Sequence, residues 1–166
     1  MTHSPAAERP AAEGPATAPA DRRIELVTIG DELLLGYTID TNAAYLARRL
    51  AAIGVEIVRR ATVGDDPATI AAAVGEALAR TGAVVTTGGL GPTSDDMTKP
   101  SIAALFGRGM RLDEGHLAWM RERWRTLFRR EMPESNVQQA MIPEGARILR
   151  NDHGSAPGIL LEDDGG

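Results

Sequence analysis

The chain has 166 residues, the size of about one domain, and 43% of them are hydrophobic, so it can bury a core. Aromatic residues make up only 4%, which leaves Ala, Val, Ile and Leu as the main core-forming residues. A formal net charge of −5 argues against nucleic acid as the main partner. The absence of cysteine excludes disulfides and thiolate metal sites and fits a cytoplasmic protein. No apolar run approaches the ~18 residues that cross a membrane.

Residues 1–22 differ in composition from the rest of the chain. Eleven of them are Ala or Pro, and none is Val, Ile, Leu or aromatic. Such a segment cannot bury enough apolar surface to offset the entropy that is lost when it becomes ordered. The sequence therefore predicts a disordered tail over residues 1–22 and a single domain over residues 23–166.

Strand and helix patterns alternate over the first half of this domain. A strand is predicted at residues 24–29 and ends at Gly30; a helix capped by Asp40 or Thr41 follows and ends at Gly54. The next elements are a strand, a helix and a strand, predicted at residues 55–63, 67–81 and 83–86.

The second half is predicted to be mainly helical. Its helices are expected at residues 95–106, 113–130 and 135–141, and His116 lies on the second of these, which is expected to be solvated. Two short strands are predicted at residues 147–149 and 158–161. The alternation predicts an α/β fold of three layers, α/β/α, with a mainly parallel sheet and a small antiparallel hairpin at its edge.

Ligands of open parallel sheets bind at the carboxyl ends of the strands. Polar motifs follow each of the first three predicted strands, and three such loops on one edge are a stronger signal than any one of them. The motifs are Gly30-Asp31-Glu32, Gly64-Asp65-Asp66 and the run from Thr86 to Asp96.

The third motif carries three glycines in four positions, Gly88, Gly89 and Gly91. Glycines let the backbone turn sharply and approach a ligand, and the free amides of such a loop can hold phosphate. Hydroxyl groups surround the loop at Thr86, Thr87, Thr93 and Ser94. The run is neither a Walker motif nor a dinucleotide fingerprint. The alternative is a tight strand-to-helix turn with Asp95 or Asp96 as its cap.

Acidic residues gather in the same three loops. Carboxylates repel one another unless a cation is present, so Asp65, Asp95 and Asp96 are candidate ligands of a divalent metal, with Mg²⁺ the expected ion. The pair Asp31 and Glu32 suggests cation or ribose binding.

Of three further polar residues, two have two interpretations each. Asp66, before Pro67, is most simply a helix cap. Asn42 either caps its helix or points at the ligand. Lys99 could pair with Asp96 or reach a phosphate, although a lysine at this spacing more often forms a surface ion pair.

Four segments of the chain resemble the N-terminal domain of the competence/damage-inducible CinA proteins. They are TIGDELLLG, DTNAAYLARRLAAIGVEI, TTGGLGPTSDDMTK and NVQQAMIPEGARIL. That domain belongs to the wider molybdopterin-binding superfamily, with MogA, MoaB and MoeA-type domains. The leucine and the paired aspartates of TTGGLGPTSDD resemble CinA more than the GGTG form of MogA and MoaB.

The resemblance implies a ligand site at the glycine loop for a nucleotide or pterin phosphate. It implies catalytic roles for Asp65 and Asp96, with Asp95 beside them. It implies that Gly88, Gly89 and Gly91 hold the phosphate and that Glu32 lies at the edge of the ligand. Together with the residue pattern, this makes the candidate ligand-binding residues Gly30, Glu32, Asn42, Thr87, Gly88, Gly89, Gly91, Thr93 and Ser94. It also implies a homo-oligomer, since relatives form dimers or trimers.

CinA proteins continue with a further strand, a proline-glycine loop and an amidase domain. None of these is represented here, so we expect residues 23–166 to be a C-terminally incomplete domain, and the amidase activity does not transfer.

The resemblance leaves three hypotheses for function. The first is metal-dependent hydrolysis of ADP-ribose to AMP and ribose 5-phosphate. The second is a module that binds molybdopterin or a nucleotide without turnover. The third is adenylyl transfer to molybdopterin, which the GGLG form of the loop disfavours.

Overall fold

The computed structural model describes residues 22–163, so all of the predicted tail except Arg22 lies outside the described residues. The helices are α1 Asp31–Leu34, α2 Thr41–Ala51, α3 Pro67–Thr81, α4 Thr98–Leu105 and α5 Glu114–Phe128, with a 3-10 helix at Glu134–Ala140. The strands are β1 Arg23–Ile29, β2 Glu56–Val63, β3 Val84–Thr87, β4 Met110–Leu112, β5 Met141–Pro143, β6 Arg147–Leu149 and β7 Gly158–Leu160.

The largest sheet has the strand order β2-β1-β3, and both pairings are parallel. Val27 and Ile29 of the central strand pack against Ile70, Val74 and Ala77 of α3. Because side chains alternate along a strand, Leu26 and Thr28 face the opposite side, and both are buried as well. Both faces of β1 are covered, which confirms the predicted α/β fold with a parallel sheet.

Local capping signals explain where two of the helices begin and end. The Asp40 carboxylate accepts a hydrogen bond from the Ala43 amide (2.8 Å) at the start of α2. Asp66 accepts from the Thr69 amide (2.8 Å) at the start of α3, and Gly82 ends that helix with a left-handed φ of 71°. Caps of this kind satisfy helix-end groups that have no partner within the helix.

Four features differ from the sequence prediction. Helix α4 begins at Thr98 rather than at residue 95, since the Asp96 carboxylate bonds the preceding loop instead of capping a helix. The pair β4–β5 and the short helix α1 were not predicted. The predicted hairpin forms between β6 and β7, but as a separate two-stranded sheet and not as an edge of the parallel one.

No helix among residues 22–163 is long and apolar enough to cross a membrane.

A buried ion pair joins the central strand to α3 at the end of the sheet opposite the polar loops. The Glu25 side chain is 2% exposed, and its two oxygens accept from Arg80 Nε (2.6 Å) and Nη2 (3.0 Å). These hydrogen bonds, and the charge of Arg80, lower the pKa of Glu25 despite the opposing effect of burial. Arg80 is itself 40% exposed, so water screens its side of the pair.

We expect Arg80→Met to lower the free energy of unfolding by about 2 kcal/mol, because it leaves the Glu25 charge buried without a partner. A depressed pKa stabilises the folded state above the ordinary carboxyl value near 4.5, and this contribution is lost as the pH falls through the folded pKa. Urea unfolding at pH 7 and pH 3 measures both effects. The exposed variant Arg125→Met is the control, and equal stability of the two variants at pH 7 would contradict the prediction.

Candidate functional site

The carboxyl ends of the three parallel strands lie side by side. Thr28 of β1 is in register with Thr62 of β2 on one side and with the half-buried Thr87 of β3 on the other. The loops that follow the strands therefore share one edge of the sheet, which we call the site edge. These loops are residues 30–32, 64–66 and 88–96, and the last is called the glycine loop.

Two loops of the site edge are joined through their aspartates. The Asp31 amide donates to Asp65 Oδ2 (3.0 Å), and the Asp65 amide donates to Asp31 Oδ1 (3.3 Å). The Gly30 amide also donates to the Val63 carbonyl at the end of β2 (2.9 Å). The structure thus brings together Asp31 and Asp65, although one oxygen of each carboxylate is already bonded to backbone.

The glycine loop folds tightly against the end of β1 and the start of α4. Gly88 has a φ of 104°, and a Cβ placed there would overlap the Ile29 carbonyl oxygen. Gly89 has a φ of 58°, and its Cβ would overlap the Thr98 hydroxyl. That hydroxyl donates to the Gly88 carbonyl (2.8 Å). Both positions therefore need glycine for conformation and for space.

Asp96 closes the far side of the glycine loop. Its Oδ1 accepts from the Gly91 amide (2.7 Å), and its Oδ2 accepts from the Thr93 amide (2.8 Å) and hydroxyl (2.6 Å). Burial raises the pKa of Asp96, but the hydrogen bonds from Thr93 and Gly91 outweigh it and lower the pKa overall. Asp96 is therefore a carboxylate near neutral pH. It accepts from the amides of Gly91 and Thr93, two residues that were expected to bind phosphate.

Other amides of the loop remain available to an anion. Within residues 22–163, the Gly89 and Leu90 amides donate to no acceptor. Consecutive backbone amides without acceptors, in a turn with positive φ, are the arrangement that binds phosphate or carboxylate groups.

The other residues predicted for the site occupy different surroundings. Glu32 folds back over Gly30, where an added Cβ would lie 2.8 Å from each carboxylate oxygen. Ser94 is exposed, and its hydroxyl donates weakly to the neighbouring Asp95 (3.4 Å). Asn42 is exposed in the first turn of α2, where Asp40 supplies the cap.

The acidic residues do not form a metal site on their own. Over residues 22–163, no three acidic or histidine side chains lie where they could hold a metal ion. Asp96 has both oxygens engaged by the loop, and Asp65 has one engaged by Asp31. The donor set therefore does not fit a preformed Mg²⁺ site of Asp65, Asp95 and Asp96, and Mg²⁺ stays a prediction.

Two residues beside the loop have a role that sequence reasoning did not find. Gln139, in the 3-10 helix, donates from Nε2 to the Leu90 carbonyl (3.4 Å). Lys99 is buried, where a surface ion pair was the commoner expectation, and its ammonium donates to the carbonyls of Gln138 and Gln139. No local sequence signal identifies Gln139, because its contact with the loop joins segments far apart in the chain.

The burial of His116 was not predicted from the expectation that its helix is solvated. Its helix is solvated on other faces, but His116 is only 8% exposed and stacks on Trp119 with ring centroids 5.3 Å apart. Its Nε2 lies 3.3 Å from the Ser155 carbonyl oxygen. The cause is the packing of the segment before β7 over this face of α5, which helical periodicity alone does not reveal.

The three loops lie within a segment that matches a known protein family. Residues 25–165 match the family described as "Probable molybdopterin binding domain". The chain belongs to this family. The expected resemblance to molybdopterin-binding domains is therefore confirmed.

Relatives of this molybdopterin-binding domain protein include CinA-like proteins. One from Gemmatimonas aurantiaca is 71% identical over 143 residues, covering 86% of this chain and 33% of the relative. Another from Frankia casuarinae is 46% identical over 144 residues, covering 84% of this chain and 33% of the relative. The chain thus spans about a third of the length of the curated relatives it matches.

Solved structures agree with this assignment. The protein CinA of Thermoplasma acidophilum, described as of unknown function, is 34% identical with a TM-score of 0.76, covering 85% of this chain and 82% of that one. The tungsten cofactor synthesizing protein MoaB of Pyrococcus furiosus is 22% identical with a TM-score of 0.52, covering 86% and 81%. The first supports the CinA-like membership, and the second shows the shared fold alone.

Proposed function

We propose that the site edge binds ADP-ribose and that the chain hydrolyses it to AMP and ribose 5-phosphate. Water adds across the P–O–P bond, so that one phosphoryl group remains on each product. The observation that supports binding is the glycine loop, with the Gly89 and Leu90 amides open beside the joined loops of Asp31 and Asp65. The choice of ADP-ribose rests on the resemblance to CinA.

Asp96 is the acidic residue best placed to act in this reaction. It is ionised, and its three hydrogen bonds leave one lone-pair position of the carboxylate that can orient a water molecule. We expect the hydrolysis to depend on a divalent ion. We assign no step to the ion, because the described acidic residues do not gather three ligands.

The alternative function is binding of a nucleotide or pterin phosphate without turnover. One observation favours it: the Asp96 oxygens are engaged by the loop and so are not free to coordinate an ion. This molybdopterin-binding domain would then present its ligand to another reaction centre.

We expect the purified chain to release AMP from ADP-ribose when Mg²⁺ is present and to stop when EDTA is added. Chromatography of the products and calorimetry of ADP-ribose binding are measured on the same sample. Binding without AMP release supports the alternative. No ADP-ribose binding at any Mg²⁺ concentration would rule out the proposed hydrolysis and would exclude ADP-ribose as the ligand of the alternative.

A further inference from the structure

Lys99 is the only lysine in the sequence, and all the other residues among its 18 lysines and arginines are arginines. It is also only 6% exposed. Burying an ammonium group costs free energy unless its protons have hydrogen-bond acceptors. The compact ammonium of lysine also needs a different arrangement of acceptors from the planar guanidinium of arginine. The position of this single lysine therefore needs a physical explanation.

The acceptors of Lys99 are backbone carbonyls. Its Nζ donates to the Gln138 carbonyl (2.6 Å) and to the Gln139 carbonyl (3.2 Å). These residues lie at the C-terminal end of the 3-10 helix Glu134–Ala140, where a positive charge is favourable, and the Gln138 carbonyl also accepts from the Met141 amide. Lys99 thus caps that helix from the neighbouring helix α4.

The capped helix holds the glycine loop. The Gln139 side chain is 4% exposed; its Nε2 donates to the Leu90 carbonyl (3.4 Å), and its Oε1 accepts from Asn136 Nδ2 (3.1 Å). A continuous set of contacts therefore runs from the Lys99 ammonium, through the end of the 3-10 helix, to Leu90 at the centre of the loop.

Two charged or titratable groups face Lys99 from the elements around it. Asp96 comes from the glycine loop, and His116 comes from α5. Burial lowers the pKa of Lys99 to about 8, against the opposing effect of Asp96. Burial also lowers the pKa of His116, and the Lys99 charge acts in the same direction. Lys99 therefore carries its positive charge at pH 7.

We propose that Lys99 is a positioning residue, which fixes the glycine loop through the 3-10 helix and supplies buried positive charge to an anion bound there. The ligand is the one of the proposed function, ADP-ribose, and this part of the inference rests on that proposal. The effect on the shape of the loop does not depend on it.

The first test is ADP-ribose affinity against pH, measured by calorimetry from pH 7 to pH 9.5. The wild type is expected to lose affinity as Lys99 loses its proton. Lys99→Met is expected to bind about tenfold more weakly at pH 7 and to show no further loss at higher pH. Lys99→Arg keeps the charge and is expected to restore binding that does not weaken with pH. A pH dependence that persists in Lys99→Met would overturn the role of the charge.

The second test needs no ligand. Protein labelled only at lysine gives the signals of a single residue, and its titration midpoint is expected at about 8. Amide exchange at Gly91 and Thr93, whose amides donate to Asp96, is expected to be about tenfold faster in Lys99→Met than in the wild type, with α3 unchanged. Unchanged exchange in the loop would refute the positioning role, even if ADP-ribose proved not to bind and the proposed function failed. If Lys99→Met does not fold, Lys99→Gln takes its place.

Discussion

Asp96→Asn is expected to reduce ADP-ribose hydrolysis about 100-fold or more while the parallel sheet stays folded. The carboxylate accepts three hydrogen bonds with its two oxygens, from the Gly91 amide and from the amide and hydroxyl of Thr93. An asparagine has only one acceptor oxygen, so its NH₂ group would face a backbone N–H. The loop must rearrange, and the negative charge is lost as well.

The measurements are initial rates of AMP release, ADP-ribose affinity and urea unfolding. The free energy of unfolding is expected to fall by about 1 kcal/mol, because the Gly91 and Thr93 donors are half-buried or exposed and can turn to water. Asp113→Asn is the matched control, because Asp113 also accepts from a backbone amide, that of His116 (2.9 Å), but at the start of α5. Hydrolysis at the wild-type rate in Asp96→Asn would remove Asp96 from the mechanism.

Gly88→Ala is expected to have the largest effect on stability, a loss of about 4 kcal/mol or more. The added methyl group would overlap the Ile29 carbonyl oxygen, which is fixed backbone of the central strand and cannot move aside. The backbone of Gly88 also has a φ of 104°, which residues with a side chain rarely adopt.

Gly36→Ala separates overlap from conformation. Gly36 has a φ of 78°, but no atom lies within 4 Å of its added Cβ, so only backbone strain of about 1–2 kcal/mol is expected. Thermal and urea unfolding of the two variants give the comparison. Equal losses would mean that the overlap of the added methyl group with the Ile29 carbonyl costs no stability.

The sequence predicted those parts of the fold that local signals specify. Strand β1, helix α2 and helix α3 follow from apolar periodicity and from caps such as Asp40, Asp66 and Gly82, whose partners are a few residues away. The strands β4 and β5 have three residues each and form because segments far apart in the chain pair, with Met110 opposite Pro143. No local pattern predicted them.

The site was predictable to a similar degree. The order of strands and polar loops placed the glycine loop and Asp65 at one edge of the sheet. It did not reveal that Asp96 would bond the loop's own amides, because the same Asp-rich run can cap a helix or close a turn. Nor did it reveal the burial of Lys99, which depends on the 3-10 helix 39 residues further along the chain.

The exchange of hydrogen bonds between Asp31 and Asp65 makes two separate loops behave as one clasp. The amide of each residue donates to the carboxylate of the other, so one loop cannot move away without breaking both hydrogen bonds. Removing the carboxylate at one position would leave the amide at the other without its protein acceptor. The two positions are therefore expected to change together.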